Sequence, residues 1–265
     1  MTKITIGKYM PYNTIIHKLD PRIKILSLMI LLVGIFFPVD LIAYFGLLVL
    51  ALILCTISKI NFKVIINSFK PMLFMMIFLL VINALTIKDG NVLFEIFSVQ
   101  VYSGAILQTG FIAIRLLLMI ILTTLLTTTT KPLDLTLGIE DLLSPFIKIG
   151  VPAHEIAMMI SIALRFIPTL LEEADRIIKA QASRGLDLQE GKIKEKAMAI
   201  LALIVPLFVS ALQRAEDLAN AMEARCYIPG NKRTRYRMLK IKYHDIIAIL
   251  TSLIITVSLG LYAWL

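Results

Sequence analysis

Two arginines close two similarly built segments of this chain. Residues 168–184 read PTLLEEADRIIKAQASR and residues 206–225 read PLFVSALQRAEDLANAMEAR. Each begins at a proline, carries an arginine eight residues on (Arg176, Arg214) and closes on Ala-x-x-x-Arg, at Arg184 and Arg225. Small residues surround each closing arginine: Ala182, Ser183 and Gly185 in the first segment, Ala224 and Cys226 in the second. One arginine at a helix C-terminus is explained by the helix dipole, which it complements by ~0.3–1 kcal/mol. Two in matched settings point to docking, because small neighbours leave the planar fork of donors open to a carboxylate in a partner's groove. That chemistry is recognition rather than catalysis.

Other candidate chemistry fails on its spacing. Gly185 to Lys192 (GLDLQEGK) has the look of a phosphate loop, but Leu186 stands where the first glycine belongs and Ile193 where Ser or Thr must follow the lysine. His17, His154 and His244 adjoin no cysteine or carboxylate at ligand spacing. No nucleophile has a base near it in a recognisable pattern. The expectation is therefore no catalytic residue, no metal site and no cofactor. Arg115 is a separate case, a lone charge inside the apolar run 104–129. A central arginine costs at least ~2.5 kcal/mol on insertion scales, so it should face a bundle interior or a partner subunit.

The elements that position these residues are membrane helices. Of the 265 residues 58% are hydrophobic, and the mean hydropathy is +0.87, too apolar for an ordinary soluble domain. Five runs approach the roughly 20 apolar residues that a bilayer core requires: 23–38, 41–58, 71–87, 104–129 and 246–265. Pro38-Val39-Asp40 joins the first two as a helical hairpin. The net charge of +9 would suit nucleic acid, but its distribution argues for a membrane and against nucleic acid. Residues 1–24 hold five Lys and Arg, 59–70 hold three and 131–242 hold seventeen, while 86–103 hold only Lys88 and nothing follows Lys242. By the positive-inside rule the N-terminus and the block 131–242 lie in the cytoplasm and Leu265 outside, with Tyr262 and Trp264 as interfacial anchors. The first apolar run leads directly into a second, so no cleavable signal peptide is expected. Cys55 in a span and Cys226 in the basic block form no disulfide pair.

The chain therefore divides into an N-terminal segment with four spans (1–130), a coupling region (131–242) and a last span (243–265). Within the coupling region, 139–148 is a short amphipathic segment, and two long helices are predicted at about 153–184 and 195–225. Each is apolar in its first half and charged in its second, where Glu172/Arg176 and Asp175/Lys179 fall at helical i,i+4 spacing. Helices lying in or under the inner interface account for the charged halves. The alternative, two further spans at 153–172 and 195–212, gives seven in all and moves the loop 185–194 outside. Apolar faces this large call for another protein as well as lipid, and Met158, Ile162, Leu201 and Val205 are the candidate contacts.

At this point the chain resembles a known family. IHKLDPRIKIL (Ile16–Leu26), PAHEIAMMISIALRFIPTLLEEADRIIKAQASRG (Pro152–Gly185) and AMEARCY (Ala221–Tyr227) are similar to the transmembrane T component of energy-coupling factor transporters. The resemblance implies an all-α integral membrane protein with about five spans and long amphipathic coupling helices at the cytoplasmic face of the cell membrane. It implies that Ser183-Arg184-Gly185 and Ala224-Arg225-Cys226 dock into grooves on two ATP-binding-cassette ATPases, with Cys226 where the family often has Gly or Ser. It further implies that the apolar faces meet a membrane-embedded S component carrying a vitamin or other micronutrient. The N-terminal MTKITIGKYMPYNTIIHKLDP is similar to the shared type, which serves several S components, the alternative being a dedicated metal or biotin system.

Two other classes compete. A permease that carries its own substrate needs polar groups gathered inside the spans, and the candidates are Arg115 and the Thr-rich run 123–130. An anchor that binds anionic lipid needs a surface of one sign, whereas Glu172, Glu173, Asp175, Glu216, Asp217 and Glu223 interleave with the bases.

Overall fold

The computed structural model describes residues 9–37, 40–96, 99–185, 193–228, 239 and 241–264. The architecture is eight α-helices with one short hairpin between the third and fourth, among the described residues: α1 (Pro21–Gly34), α2 (Leu41–Ile57), α3 (Phe62–Thr86), α4 (Ser103–Thr129), α5 (Pro132–Leu143), α6 (Ala153–Ser183), α7 (Ile193–Ala224) and α8 (Tyr243–Trp264). Strands β1 (Val92–Ile96) and β2 (Val99–Tyr102) pair antiparallel, with Val92 opposite Tyr102 and an irregularity before Phe94. They occupy the segment 86–103 that the sequence presents as an outer loop. The loop 186–192, including Gln189, and the basic stretch 229–238 lie outside the described residues.

The chain forms two compact units, residues 1–138 with 238–265, and residues 139–237. In the first, α8 packs along α1, and α4 packs on α1, α2 and α3. The core between them includes Ile35, Tyr44, Ala51, Cys55, Leu118 and Ile121, all nearly inaccessible. Close approach of α1 and α8 depends on Gly34: a Cβ there would stand 2.8 Å from Thr256 Oγ1. Thr256 then donates to the Ile30 carbonyl at 3.1 Å, a small-residue contact of the kind that holds membrane helices together. Between α1, α2, α4 and α8 lies a mostly aliphatic cavity of about 310 Å³, lined among others by Leu28, Leu50, Leu122 and Leu126. The outward faces are apolar, and on α3 Phe74, Ile77 and Phe78 are exposed, as lipid-facing side chains must be.

Five described helices are long and apolar enough to cross a bilayer, but they are not the five runs read from hydropathy. They are Lys63–Thr86, Ser103–Thr129, Ala153–Ser183, Lys196–Ala224 and Tyr243–Trp264. The fourth and last runs coincide with α4 and α8. The first hairpin falls short, because α1 has 14 residues and α2 has 17, about 21 and 26 Å at 1.5 Å per residue. α1 ends at Gly34, where the Ile35 N–H closes the helix on the Leu31 carbonyl at 3.0 Å. The third run extends backward through Pro71 to the Asn61 cap, whose side chain accepts from the Lys63 N–H. Likewise α6 and α7 run unbroken through Pro168 and Pro206. Their length and composition alone would suit the two-extra-spans alternative.

Candidate functional site

The second unit is built on α6 and α7, and both end in the same way. In α6 the last helical residue is Ser183, Arg184 is the C-cap, and Gly185 turns left-handed at φ 83°. The Arg184 and Gly185 N–H groups close the end on the Gln181 and Ala182 carbonyls, each at 3.0 Å. In α7 the last helical residue is Ala224, Arg225 follows, and Cys226 takes the left-handed position at φ 57°. There the N–H groups of Arg225 and Tyr227 bond the Met222 carbonyl at 3.1 and 3.0 Å, and that of Cys226 bonds the Glu223 carbonyl at 2.8 Å. A left-handed residue just past the helix satisfies carbonyls that the helix leaves open and stops it sharply. Ser183, Arg184, Gly185, Ala224, Arg225 and Cys226 are all exposed. Each guanidinium is thus carried on an ordered, accessible corner with small residues at its sides.

A polar clasp with no local sequence signature joins the two helices. Glu173 of α6 accepts from the Ser210 hydroxyl at 2.6 Å and from Arg214 at 2.8 Å, both on α7. Farther along, the Gln181 amide donates to the Ala202 carbonyl at 3.4 Å. Rising numbers on α6 meet falling numbers on α7, so the helices run antiparallel. Glu173 stands eleven residues before Arg184, and Arg214 eleven before Arg225. At 1.5 Å per residue that is about 16 Å each way. The two arginines are the tips of equal arms that diverge from one clasp. Arg214 is one of the two arginines repeated eight residues after a proline, but no single-helix pattern identifies Glu173 as its partner. The i,i+4 pairs Glu172/Arg176 and Asp175/Lys179 form no ion pair; the acid that is used on this stretch points across to α7.

The N-terminal part of this unit is set by a second contact, His154 Nδ1 to the buried Glu140 at 2.9 Å. It seats the start of α6, where Ala153 and Ala157 are buried. Of the candidate apolar contacts, Leu201 and Val205 are exposed, and Met158 and Ile162 are half-buried. Met159 and Ile160 next to them are more open.

Arg115 faces the interior of the first unit. Its Nη2 donates to the Tyr44 hydroxyl at 2.7 Å, and its guanidinium lies 5.1 Å from the centroid of the Phe36 ring. Tyr44 is fully buried and stacks on Phe111 at 5.7 Å. A phenol and an aromatic face thus serve where sequence reading found no carboxylate. Four threonines of 123–129 bond back to their own helix. The hydroxyls of Thr123, Thr127, Thr128 and Thr129 each donate to a carbonyl three or four residues earlier, the local bonding habit of Ser and Thr in membrane helices.

Fold and site together define a helical membrane protein whose second unit offers two matched, arginine-tipped helix ends and no gathered catalytic groups among the described residues. Comparison with known proteins sharpens this. The family model described as CbiQ, cobalt transport protein, matches residues 12–236. An energy-coupling factor transporter transmembrane protein EcfT of Clostridium kluyveri is 46% identical over 253 residues, covering 95% of this chain and 94% of that protein. The protein of the same description in Acidaminococcus fermentans is 43% identical over 265 residues, covering 100% and 98%. That of Bacillus subtilis is 40% identical over 261 residues, covering 98% and 97%. The chain belongs to this family, the transmembrane T components of energy-coupling factor transporters.

Proposed function

We propose that this chain is the non-enzymatic coupling subunit between two ATP-binding ATPases and a membrane-embedded S component. The observation that carries the reading is the pair of similarly capped corners at Arg184 and Arg225, set on equal arms of one clasped helix pair. Two equivalent docking ends suit two equivalent partners. Each arginine enters a groove and meets a carboxylate there, while Ser183, Gly185, Ala224 and Cys226 allow close approach. The apolar faces around Met158, Ile162, Leu201 and Val205 receive the S component. A permease reading has less support, because the hydroxyls of Thr123, Thr127, Thr128 and Thr129 bond to their own helix and the cavity of the first unit is mostly aliphatic.

The coupling region, 131–242 between the spans of 1–130 and 243–265, works in the cytoplasm, in a multi-pass protein of the cell membrane with its C-terminus outside. The charge distribution supports that orientation, since seventeen basic residues would otherwise have to cross. The polar contacts of the first unit sort to two ends: Tyr262 with Asp40 at one, Asp20 with Asp245 at the other. We further propose the shared type, which serves several S components for vitamins or other micronutrients. The N-terminal segment MTKITIGKYMPYNTIIHKLDP supports it.

Replacing both Arg184 and Arg225 by alanine tests the docking. Each loss leaves a desolvated carboxylate behind, at ~2–5 kcal/mol, so the ATPases should no longer co-purify while the chain still reaches the membrane. Retention of both ATPases with unchanged uptake would refute the assignment. Deleting the chain and following labelled cobalt(II), nickel(II), biotin and riboflavin separates the types. Loss of several chemically unrelated substrates marks the shared type, and loss of one a dedicated system.

A further inference from the structure

The segment His17-Lys18-Leu19-Asp20-Pro21-Arg22-Ile23-Lys24 lies outside both docking ends, yet it forms the most heavily bonded polar cluster of the first unit among the described residues. Asp20 caps α1 by accepting from the Arg22 N–H at 3.0 Å. Its own N–H donates at 2.8 Å to Asp245, which is 1% exposed at the start of α8. The second carboxylate oxygen of Asp245 accepts from the Lys242 N–H at 2.6 Å. Arg22 reaches the Leu239 carbonyl at 2.8 Å while its Nε stays 3.3 Å from Asp20. The buried Lys24 ammonium takes the end of α4, donating to the Thr129 carbonyl at 3.0 Å and the Thr130 hydroxyl at 3.3 Å, and also to the His17 carbonyl at 3.3 Å.

What this cluster holds is informative. The backbone passes between the two units at only two places, within α5 after Gly138 and again before Met238. The segment that leads to the outgoing passage begins at Thr130, which Lys24 holds, and Gly138 at its end lies so near Arg22 that a Cβ there would stand 3.2 Å from the Arg22 backbone nitrogen. The returning passage arrives at Leu239 and Lys242, held by Arg22 and Asp245. Both passages are therefore fastened to the first turn of α1. We propose that Asp20, Arg22, Lys24 and Asp245 form a transmission node, a set of positioning residues through which displacement of the coupling helices reaches the spanning bundle as one movement. The polar bonds prevent the two connections from yielding separately, so work done on α6 and α7 is not lost in bending the chain. This deepens the coupling function proposed above and rests on it.

The test uses the full complex, with both ATPases and the S component, and the variants Asp245→Asn, Lys24→Met and Lys24→Arg. Three quantities are read: co-purification of the partners, ATP hydrolysis, and uptake per ATP of labelled biotin, riboflavin or cobalt(II). The node predicts that Asp245→Asn and Lys24→Met keep their partners and hydrolyse ATP within about twofold of wild type, while uptake per ATP falls at least about tenfold. Lys24→Arg, which preserves the cation, should recover at least half of it. Unchanged uptake per ATP in both variants would overturn the node. Loss of partners in step with uptake would also overturn it, by making the cluster a folding element only. The docking reading is judged separately, by ATPase retention in the Arg184/Arg225 variant.

Discussion

Equal arms on a shared clasp make the separation of the two docking ends a measurable quantity. Ser183 and Ala224, one residue inside each arginine, are exposed and can carry spin labels as cysteines, with Cys55 replaced by serine and Cys226 by glycine. The Gln181–Ala202 contact sets the α6 tip beside residue 202 of α7, and 22 further residues lead from there to Ala224. At 1.5 Å per residue this is about 33 Å along the helix, and a bend at Pro206 can shorten it by several ångströms. Dipolar spectroscopy in detergent should give a distribution centred at about 30–38 Å. Glu173→Ala removes both the Ser210 and the Arg214 contacts, so the distribution should broaden without losing its helical ends. A separation below about 20 Å would place both arginines at one site. Two independent ATPase contacts would then be geometrically impossible, and the coupling proposal would have to be abandoned.

Three shorter predictions accompany it. A cysteine at Gln189, with Cys55 and Cys226 replaced, should react with an impermeant thiol reagent only after cells are opened; labelling of intact cells would put Arg184 on the wrong side for any ATPase. Cys226→Gly should stabilise the end of α7 by up to about 1 kcal/mol, because glycine accepts the left-handed backbone that costs an L-residue; thermal unfolding in detergent reads the gain, and a loss would show that the cysteine side chain matters more than the backbone. Acidification should weaken the N-terminal segment. His17 Nε2 donates to the Met10 carbonyl at 3.0 Å, so in the neutral ring Nδ1 accepts from the Thr14 hydroxyl at 2.7 Å. Burial, partly offset by the Met10 bond, holds its pKa below 6.5. This contribution is therefore complete above 6.5 and is lost as the pH falls through that value toward the lower folded-state pKa. His17→Gln should remove part of the fall in melting temperature between pH 7 and 5, and an unaltered pH profile would exclude His17 as its source.

What the sequence made legible, and what it hid, follows from where each signal resides. The bounds of α6 and α7 were readable to within two residues, because their starts and stops are local: Pro152 before α6, Gly185 after it, and the change from apolar to charged along each helix. The capped arginines were readable for the same reason. Interior prolines misled, since Pro71 marks a helix start on propensity alone but lies inside α3. Membrane helices tolerate such a proline because neighbouring groups and local adjustments satisfy the freed carbonyl. The contacts with no local signature are those that join elements far apart in the chain: Glu173 with Arg214, Arg115 with Tyr44, Asp20 with Asp245. Their side chains carry no periodicity that names the partner, and a lone charge in an apolar run says only that a partner is needed. These same long-range pairs are the ones that can transmit force. A cap fixes one helix end, whereas a clasp between helices makes the displacement of one a displacement of the other. The residues hardest to assign from sequence are thus the ones on which coupling should depend most, and charge-neutral substitutions there should lower uptake per ATP before they lower assembly.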